Sequence, residues 1–302
     1  MTARAIDGVL LLDKPPGLSS NAALQEAKRL VGARKAGHAG TLDPLASGLL
    51  PLLFGEATRF ARFALEADKT YVATVRLGTR TDSGDAEGRV LECRPVAVDE
   101  ARIAGALARF RGELFQVPPM HSALKHEGRR LYALARAGRV IARPARRVFV
   151  HEIELLERSA ETLVLRIRCS KGTYVRQIAA DLGETLGCGA HLAALRRVAA
   201  GGFRVEEAIG LAALGALDVD ARRSRLLPTE RLIEALPAVE LAPAEARRFA
   251  RGQAVAADPT APGLRRVRAA GAGLLGVGTV GPDGLLRPAR LLARAPEAAA
   301  TG

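Results

Sequence analysis

ETLVLRIRCSKGTYVRQIAADLGETLG, residues 161–187, changes its hydrophobic period halfway along and so decides the class of fold. Over 161–169 Leu163, Leu165 and Ile167 face one way and Arg166 and Arg168 the other, the alternation of a strand. From Val175 onward Ile178, Ala179, Leu182 and Leu186 keep the spacing of an amphipathic helix, with Arg176 just off that stripe in the first turn, where an exposed Arg is the plain reading. Working outward, GVLLL at 8–12 predicts a buried strand stopped by DKPPG, and 21–31 a helix ended by Gly32. A second short helix fits 58–67, and TYVATVRL at 70–77 predicts a strand with Tyr71, Ala73, Val75 and Leu77 on one face. GTRTDSGDAEG (78–88) is a turn-rich loop, 99–110 a helix and 147–156 another strand. Strands and helices mix without regular βαβ alternation, which points to α+β rather than a doubly wound parallel sheet. After Leu236 short apolar runs are cut by glycine and proline, predicting a small β-barrel of tight hairpins over 237–293. The domain boundary falls between residues 227 and 237, and the end, PEAAATG, is expected to fray.

A chain of 302 residues can bury a full core, and its length suggests two domains. Its net charge of +13 points to a polyanionic partner. Only 6 of the 45 basic residues are Lys, and Arg suits phosphate because its planar fork donates two hydrogen bonds at once. A compositional bias toward Arg and Ala is the duller alternative. Residues 125–147 hold eight Lys or Arg and one acid, a local net of +7, with Leu131, Tyr132 and Leu134 among them. Such a segment can both pack and hold phosphates, as a nucleic-acid-contacting arm does. Cys93, Cys169 and Cys188 are scattered without ligand spacing, which argues against structural zinc and against a disulfide framework. No apolar run suits a signal peptide or a membrane span, so a cytoplasmic address is expected.

GHAGTLDPLASGLLP (37–51) contains a single acid, Asp43, followed by Pro44 and preceded by His38. A residue before proline is pushed toward extended geometry, where a carboxylate can be presented to a ligand. Asp-Pro is equally a good helix start, with Asp as cap, and the dipeptide alone does not choose. Three other matches are decoys. GAGLLG (271–276) has too little chain after it for a dinucleotide fold, SALK (122–125) lacks the partner motifs of penicillin-binding enzymes, and DSGDAEG lacks the oxygen ligands of a calcium loop.

Five stretches in this order resemble the TruB family of tRNA pseudouridine synthases. They are DKPPGLSS (13–20), GHAGTLDPLASGLLP, DKTY (68–71) with GTRTDSGDAEG, PPMHSALKHEGRRLYALARAG (118–138), and CSKGTYVRQIAADLGETLGCGAHLAALRR (169–197). Two positions depart from the family pattern: His121 stands where Tyr is frequent and Ser19 where Thr is usual. The resemblance implies a mixed-sheet catalytic domain over 1–235, with an RNA-contacting arm at about 118–147. It further implies a PUA-like RNA-binding domain over 236–295 and a disordered tail over 296–302. The implied reaction breaks the N1–C1′ bond of uridine-55 in the tRNA T loop, turns the uracil and rejoins it through C5. No cofactor or metal is demanded.

By resemblance Asp43 is the catalytic carboxylate, attacking C1′ or removing a ribose proton, and Arg176 holds it ionised and oriented. Tyr71 is the platform for the flipped base, with its phenol placed to assist loss of the C5 proton. Tyr174 and Leu195 complete the base pocket, His38 wedges into the RNA loop, and Lys14 has a supporting role. The implied partner is the T-stem loop of tRNA, bound by a monomer with no membrane or metal involved. Two further readings stay open at this level: a non-catalytic tRNA-binding protein or folding chaperone, and a glycoside hydrolase built on one carboxylate.

Overall fold

The computed structural model describes residues 6–120, 122, 125–126, 128–131, 134, 139, 141–258 and 261–293. His121, Tyr132, about half of the 118–138 motif and the 296–302 tail lie outside the described residues. The larger unit is built on a mixed 10-stranded sheet. Its main path runs Ile209–Gly210, Gly8–Lys14, Ser47–Phe54, Ala190–Ala200, Lys69–Leu77, Thr162–Cys169, Arg146–Arg158, Gly112–Gln116. Neighbours along this path are antiparallel except at two joints, Gly8–Lys14 with Ile209–Gly210 and Ser47–Phe54 with Ala190–Ala200.

The second joint shapes the molecule. Only Arg196↔Ser47 and Arg197↔Gly48 pair there, so the two halves of the sheet meet at one end and part beyond it. Gly48 sits at φ +99°, and a Cβ on it would stand 2.3 Å from the Arg197 carbonyl oxygen. Any other residue would force the strands apart.

Each half has its own core. Ala73, Val75, Leu163, Leu165 and Ile167 pack under the helices Glu100–Ala108 and Val175–Leu186. Leu10, Leu12, Leu50 and Leu52 pack under the helix Ser20–Val31. Tyr71 and Leu195 touch both cores and therefore mark the seam. The helix Ser20–Val31 is capped by Ser19, whose side chain accepts from the Ala22 N–H at 3.1 Å, and is closed by Gly32 at φ 76°.

Several elements differ from the sequence expectation. The stretch 58–67 divides into a 3-10 segment, Gly55–Phe60, and a short helix, Ala61–Glu66. Ser47–Phe54 is buried on both faces and so shows no alternation to read. Ala190–Ala200 is rich in alanine and leucine, good helix formers, yet forms a central strand because neighbours on both sides complete its hydrogen bonds. Arg176, read as an exposed arginine on sequence alone, is only 5% exposed.

The C-terminal part is PUA-like. Its 5-stranded sheet runs Ala238–Leu241, Gly263–Ala269, Gly273–Val280, Leu285–Leu291, Val255–Ala256. The helix Pro243–Ala250 and a parallel first pair join the expected hairpins. Phe249, Val267, Leu275 and Leu286 form its own core, while Leu274 and Val277 pack against Leu232, Ile233 and Phe60 of the larger unit.

Candidate active site

Asp43 does not cap a helix. Its carbonyl accepts from the Ala46 N–H at 3.0 Å, closing a turn over Pro44 that feeds directly into the strand Ser47–Phe54. Two contacts from DKPPGLSS hold this turn. The Gly17 N–H donates to the Pro44 carbonyl at 2.8 Å. The buried Ser20 hydroxyl donates to the Leu42 carbonyl at 2.9 Å and accepts from the Leu42 N–H at 2.7 Å. Asp43 is thereby fixed from behind while its side chain stays 40% exposed.

Arg176 meets that carboxylate from the other half of the sheet. Its Nη2 lies 3.0 Å from Asp43 Oδ2, and its Nη1 lies 3.4 Å from Asp85 Oδ2. Nη1 also donates to the Ser83 carbonyl at 3.2 Å. Asp85 is itself fixed: it accepts from the Ser83 hydroxyl at 2.5 Å and from the Glu87 N–H at 3.1 Å. The 78–88 loop that carries Asp85 docks on the central strand through Ala86 N–H to Leu192 O and Leu192 N–H to Gly84 O, both 3.0 Å. A buried guanidinium between two carboxylates has both partners satisfied, which is the condition for tolerating its desolvation. Burial raises the Asp43 pKa and the Asp85 charge adds to that rise, while Arg176 and Lys14 pull it back. Arg176 is the strongest influence keeping the carboxylate ionised.

A cavity of about 330 Å³ opens beside this cluster, lined by Asp43, Arg176, Tyr71, Tyr174 and Leu195 among others. The structure thus gathers five of the residues singled out by sequence. His38, at the end of the strand Ala36–His38, does not line it. Nor does Lys14, whose ammonium is turned into its own loop, donating to Pro15 O at 2.8 Å and Leu18 O at 2.6 Å.

Burial pushes the Tyr71 phenol above its ordinary range, and the Arg197 guanidinium beside it opposes that rise. Tyr174 is held through its backbone by Gln116, whose side chain accepts from Tyr174 N at 3.0 Å and donates to Tyr174 O at 3.3 Å. Among the described residues no three His, Cys, Asp or Glu side chains gather as metal ligands, and no helix is long and apolar enough to cross a membrane.

Residues 28–175 match the N-terminal domain of the TruB family pseudouridylate synthases, 176–234 the tRNA pseudouridylate synthase B C-terminal domain, and 237–292 the C-terminal domain of pseudouridine synthase II TruB. The chain is 54% identical over 299 residues to the tRNA pseudouridine synthase B of Burkholderia mallei (strain NCTC 10247), an alignment covering 97% of this chain and 99% of that protein. This chain belongs to the TruB family. Among solved structures, this TruB-family chain is similar to one in a Cbf5-Nop10-Gar1 complex, with 28% identity and a TM-score of 0.73 over 95% of this chain and 84% of that one. It is also similar to a chain in an H/ACA RNP bound to a substrate RNA containing 2'-deoxyuridine, with 26% identity and a TM-score of 0.70 over 96% and 84% of the two chains.

As a TruB-family member the chain is a pseudouridine synthase, an isomerase, which removes the glycoside-hydrolase and binding-only readings. Of the two departures, Ser19 caps its helix as a threonine also does, and His121 lies outside the described residues. Sequence reasoning missed Asp85, Lys69, Ser122 and Arg197. Asp85 stood in a loop read as turns, set aside as a calcium site and quoted for the resemblance, with no role given to the acid itself, although a second acid near a cationic segment is a usable signal. Ser122 belonged to a rejected motif, yet it lines the cavity and its buried hydroxyl has no hydrogen-bond partner among the described residues.

Proposed function

We propose that this pseudouridine synthase isomerises uridine-55 in the T loop of tRNA, using Asp43, Arg176 and Tyr71. The observation that carries this reading is the 3.0 Å contact between Arg176 and Asp43 at the rim of a cavity that Tyr71 also lines. Uridine is pulled from its loop at a cost of about a few kcal/mol. Stacking on an aromatic face such as Tyr71 returns roughly 1–3 kcal/mol. The cavity, at about 330 Å³, has room for one nucleoside.

Asp43, kept ionised by Arg176, then acts at the sugar, either by bonding to C1′ or by taking a ribose proton. The N1–C1′ bond breaks, the uracil turns, and C5 bonds to C1′ as the Asp43 oxygen leaves that carbon or, on the second route, as the ribose proton is returned. The C5 proton then leaves with help from the Tyr71 phenol while N1 gains one. Tyr174 and Leu195 bound the base, Lys14 supports the loop behind Asp43, and His38 contacts the RNA outside the cavity.

The basic segment at about 118–147 closes on the T-stem through phosphates and 2′-hydroxyls. The PUA-like domain, assigned to 236–295 against a catalytic domain of 1–235, adds contact elsewhere on the tRNA. In this reading the chain acts as a monomer, and a tRNA substrate favours a cytoplasmic address. The test is tritium release from C5-labelled uridine tRNA. Asp43→Asn is expected to bind tRNA without releasing label, and release at the wild-type rate would remove Asp43 from the chemistry. Mapping the altered nucleotide tests position 55 separately.

A further inference from the structure

Arg197 is among the largest fully buried side chains of the molecule, 1% exposed, and among the described residues it makes no ion pair. An arginine without a carboxylate is a costly thing to bury, so its hydrogen bonds reveal what it is for. Nε donates to the Leu49 carbonyl at 2.7 Å, and Nη2 donates to the Gly40 carbonyl at 3.1 Å. Those two carbonyls bracket the segment that carries Asp43. One guanidinium thus closes the loop at both ends.

The backbone of Arg197 occupies an equally particular place. It pairs with Gly48 on one side, at the narrow joint of the sheet, and with Tyr71 on the other. Directly opposed residues on antiparallel strands share a face, and Arg197 and Tyr71 both line the cavity. Gly40 has φ +97°, and a Cβ there would stand 3.3 Å from Arg197 Nη1, so the loop lies tightly over the guanidinium.

We infer that Arg197 is a positioning residue for the isomerisation, stapling the two ends of the Asp43 loop to the strand that bears Tyr71 and so fixing the carboxylate relative to the phenol. Its part is to hold backbone, through the carbonyls of Gly40 and Leu49. This rests on the assignment of Asp43 and Tyr71 above. Lysine keeps the charge but lacks the fork, so it cannot hold both carbonyls in the same way.

The experiment measures single-turnover tritium release and tRNA affinity for wild type, Arg197→Lys and Asp43→Asn. Arg197→Lys is expected to bind tRNA within about threefold of wild type while its rate falls roughly 100-fold, the scale of a misplacement of about 1 Å. A rate near wild type in Arg197→Lys, beside an inert Asp43→Asn, overturns this inference alone. An active Asp43→Asn overturns the site assignment and this inference with it. Should Arg197→Lys fail to fold, wild type supplies the test: the Arg197 Nε–H is expected to exchange slowly with solvent in NMR spectra. Exchange at the rate of an exposed arginine overturns the staple.

Discussion

Ser20 offers the sharpest test of whether the backbone behind Asp43 governs the rate. Its hydroxyl is 2% exposed and satisfies both polar groups of Leu42, accepting from the N–H at 2.7 Å and donating to the carbonyl at 2.9 Å. Ser20→Ala leaves two buried groups unpaired on a residue that is itself 3% exposed. A buried group without a partner costs about 1–3 kcal/mol, so two cost roughly 2–6 kcal/mol. A carbonyl tolerates the loss better than an N–H, which places the sum near the lower half, about 2–4 kcal/mol. The vacated space is about one oxygen atom, too small to admit a water that would restore the bonds. The cheaper escape is for Leu42 to move, and Asp43 is the next residue. A shift of about 1 Å costs on the order of 100-fold in rate, so Ser20→Ala should fall between roughly 10-fold and 100-fold in single-turnover tritium release, with tRNA affinity held. Amide exchange at Leu42 reports whether the clasp has opened. A variant whose Leu42 N–H exchanges freely while label is released at the wild-type rate would refute the dependence of Asp43 on this contact.

The remaining expectations concern charge. In Asp85→Asn the negative charge that raises the Asp43 pKa is gone, so the acid limb of the rate profile should move to lower pH, while looser anchoring of Arg176 lowers the plateau. A limb that stays put or moves upward, measured from pH 4.5 to 8, contradicts this coupling. Arg146→Ala and Arg147→Ala remove exposed cations from the end of the basic segment and should each flatten the salt dependence of tRNA binding by roughly 0.7–0.9 in log–log slope. Unchanged slopes would exclude both from phosphate contact.

Stability should depend on pH through the buried lysines. Burial lowers Lys14 and Lys69 to about 8, whereas an unfolded lysine titrates near ~10.4. Between those values the unfolded chain binds more protons, so stability rises with pH. Cys169, pushed up to about 12 by burial, and the raised Tyr71 phenol act oppositely by keeping protons that the unfolded chain loses. The rise between pH 8 and 10 should therefore be steeper in Cys169→Ala, and denaturant midpoints that fall in that variant would contradict it.

Much of the scaffold was legible because its elements bury one face. The strand Lys69–Leu77 and the helix Val175–Leu186 announce themselves by period, with Ala73, Val75 and Leu77 of the strand and Val175, Ile178, Ala179, Leu182 and Leu186 of the helix buried. Ser47–Phe54 and Ala190–Ala200 were illegible for opposite reasons: the first is apolar throughout, and the second has the composition of a helix but lies between two strands. Periodicity reports burial of apolar surface and passes over charge buried for another purpose. Arg176, Arg197, Lys14 and Lys69 are each at most 6% exposed, and all but Lys14 line the cavity. Only Arg176 is paired with carboxylates; Arg197, Lys14 and Lys69 donate to backbone carbonyls. Carbonyl donation is how a cation is used to hold chain geometry without cancelling its charge. Lys69 gathers the carbonyls of Leu65 and Ala67 at 2.6 Å each, Lys14 those of Pro15 and Leu18, and Arg197 those of Gly40 and Leu49. Three loops are thus each closed by a buried cation, two of them at the cavity, which adds positive charge beside the net −1 of Asp43, Asp85 and Arg176. Buried cations that hold backbone are therefore the part of this site that hydrophobic period does not reveal.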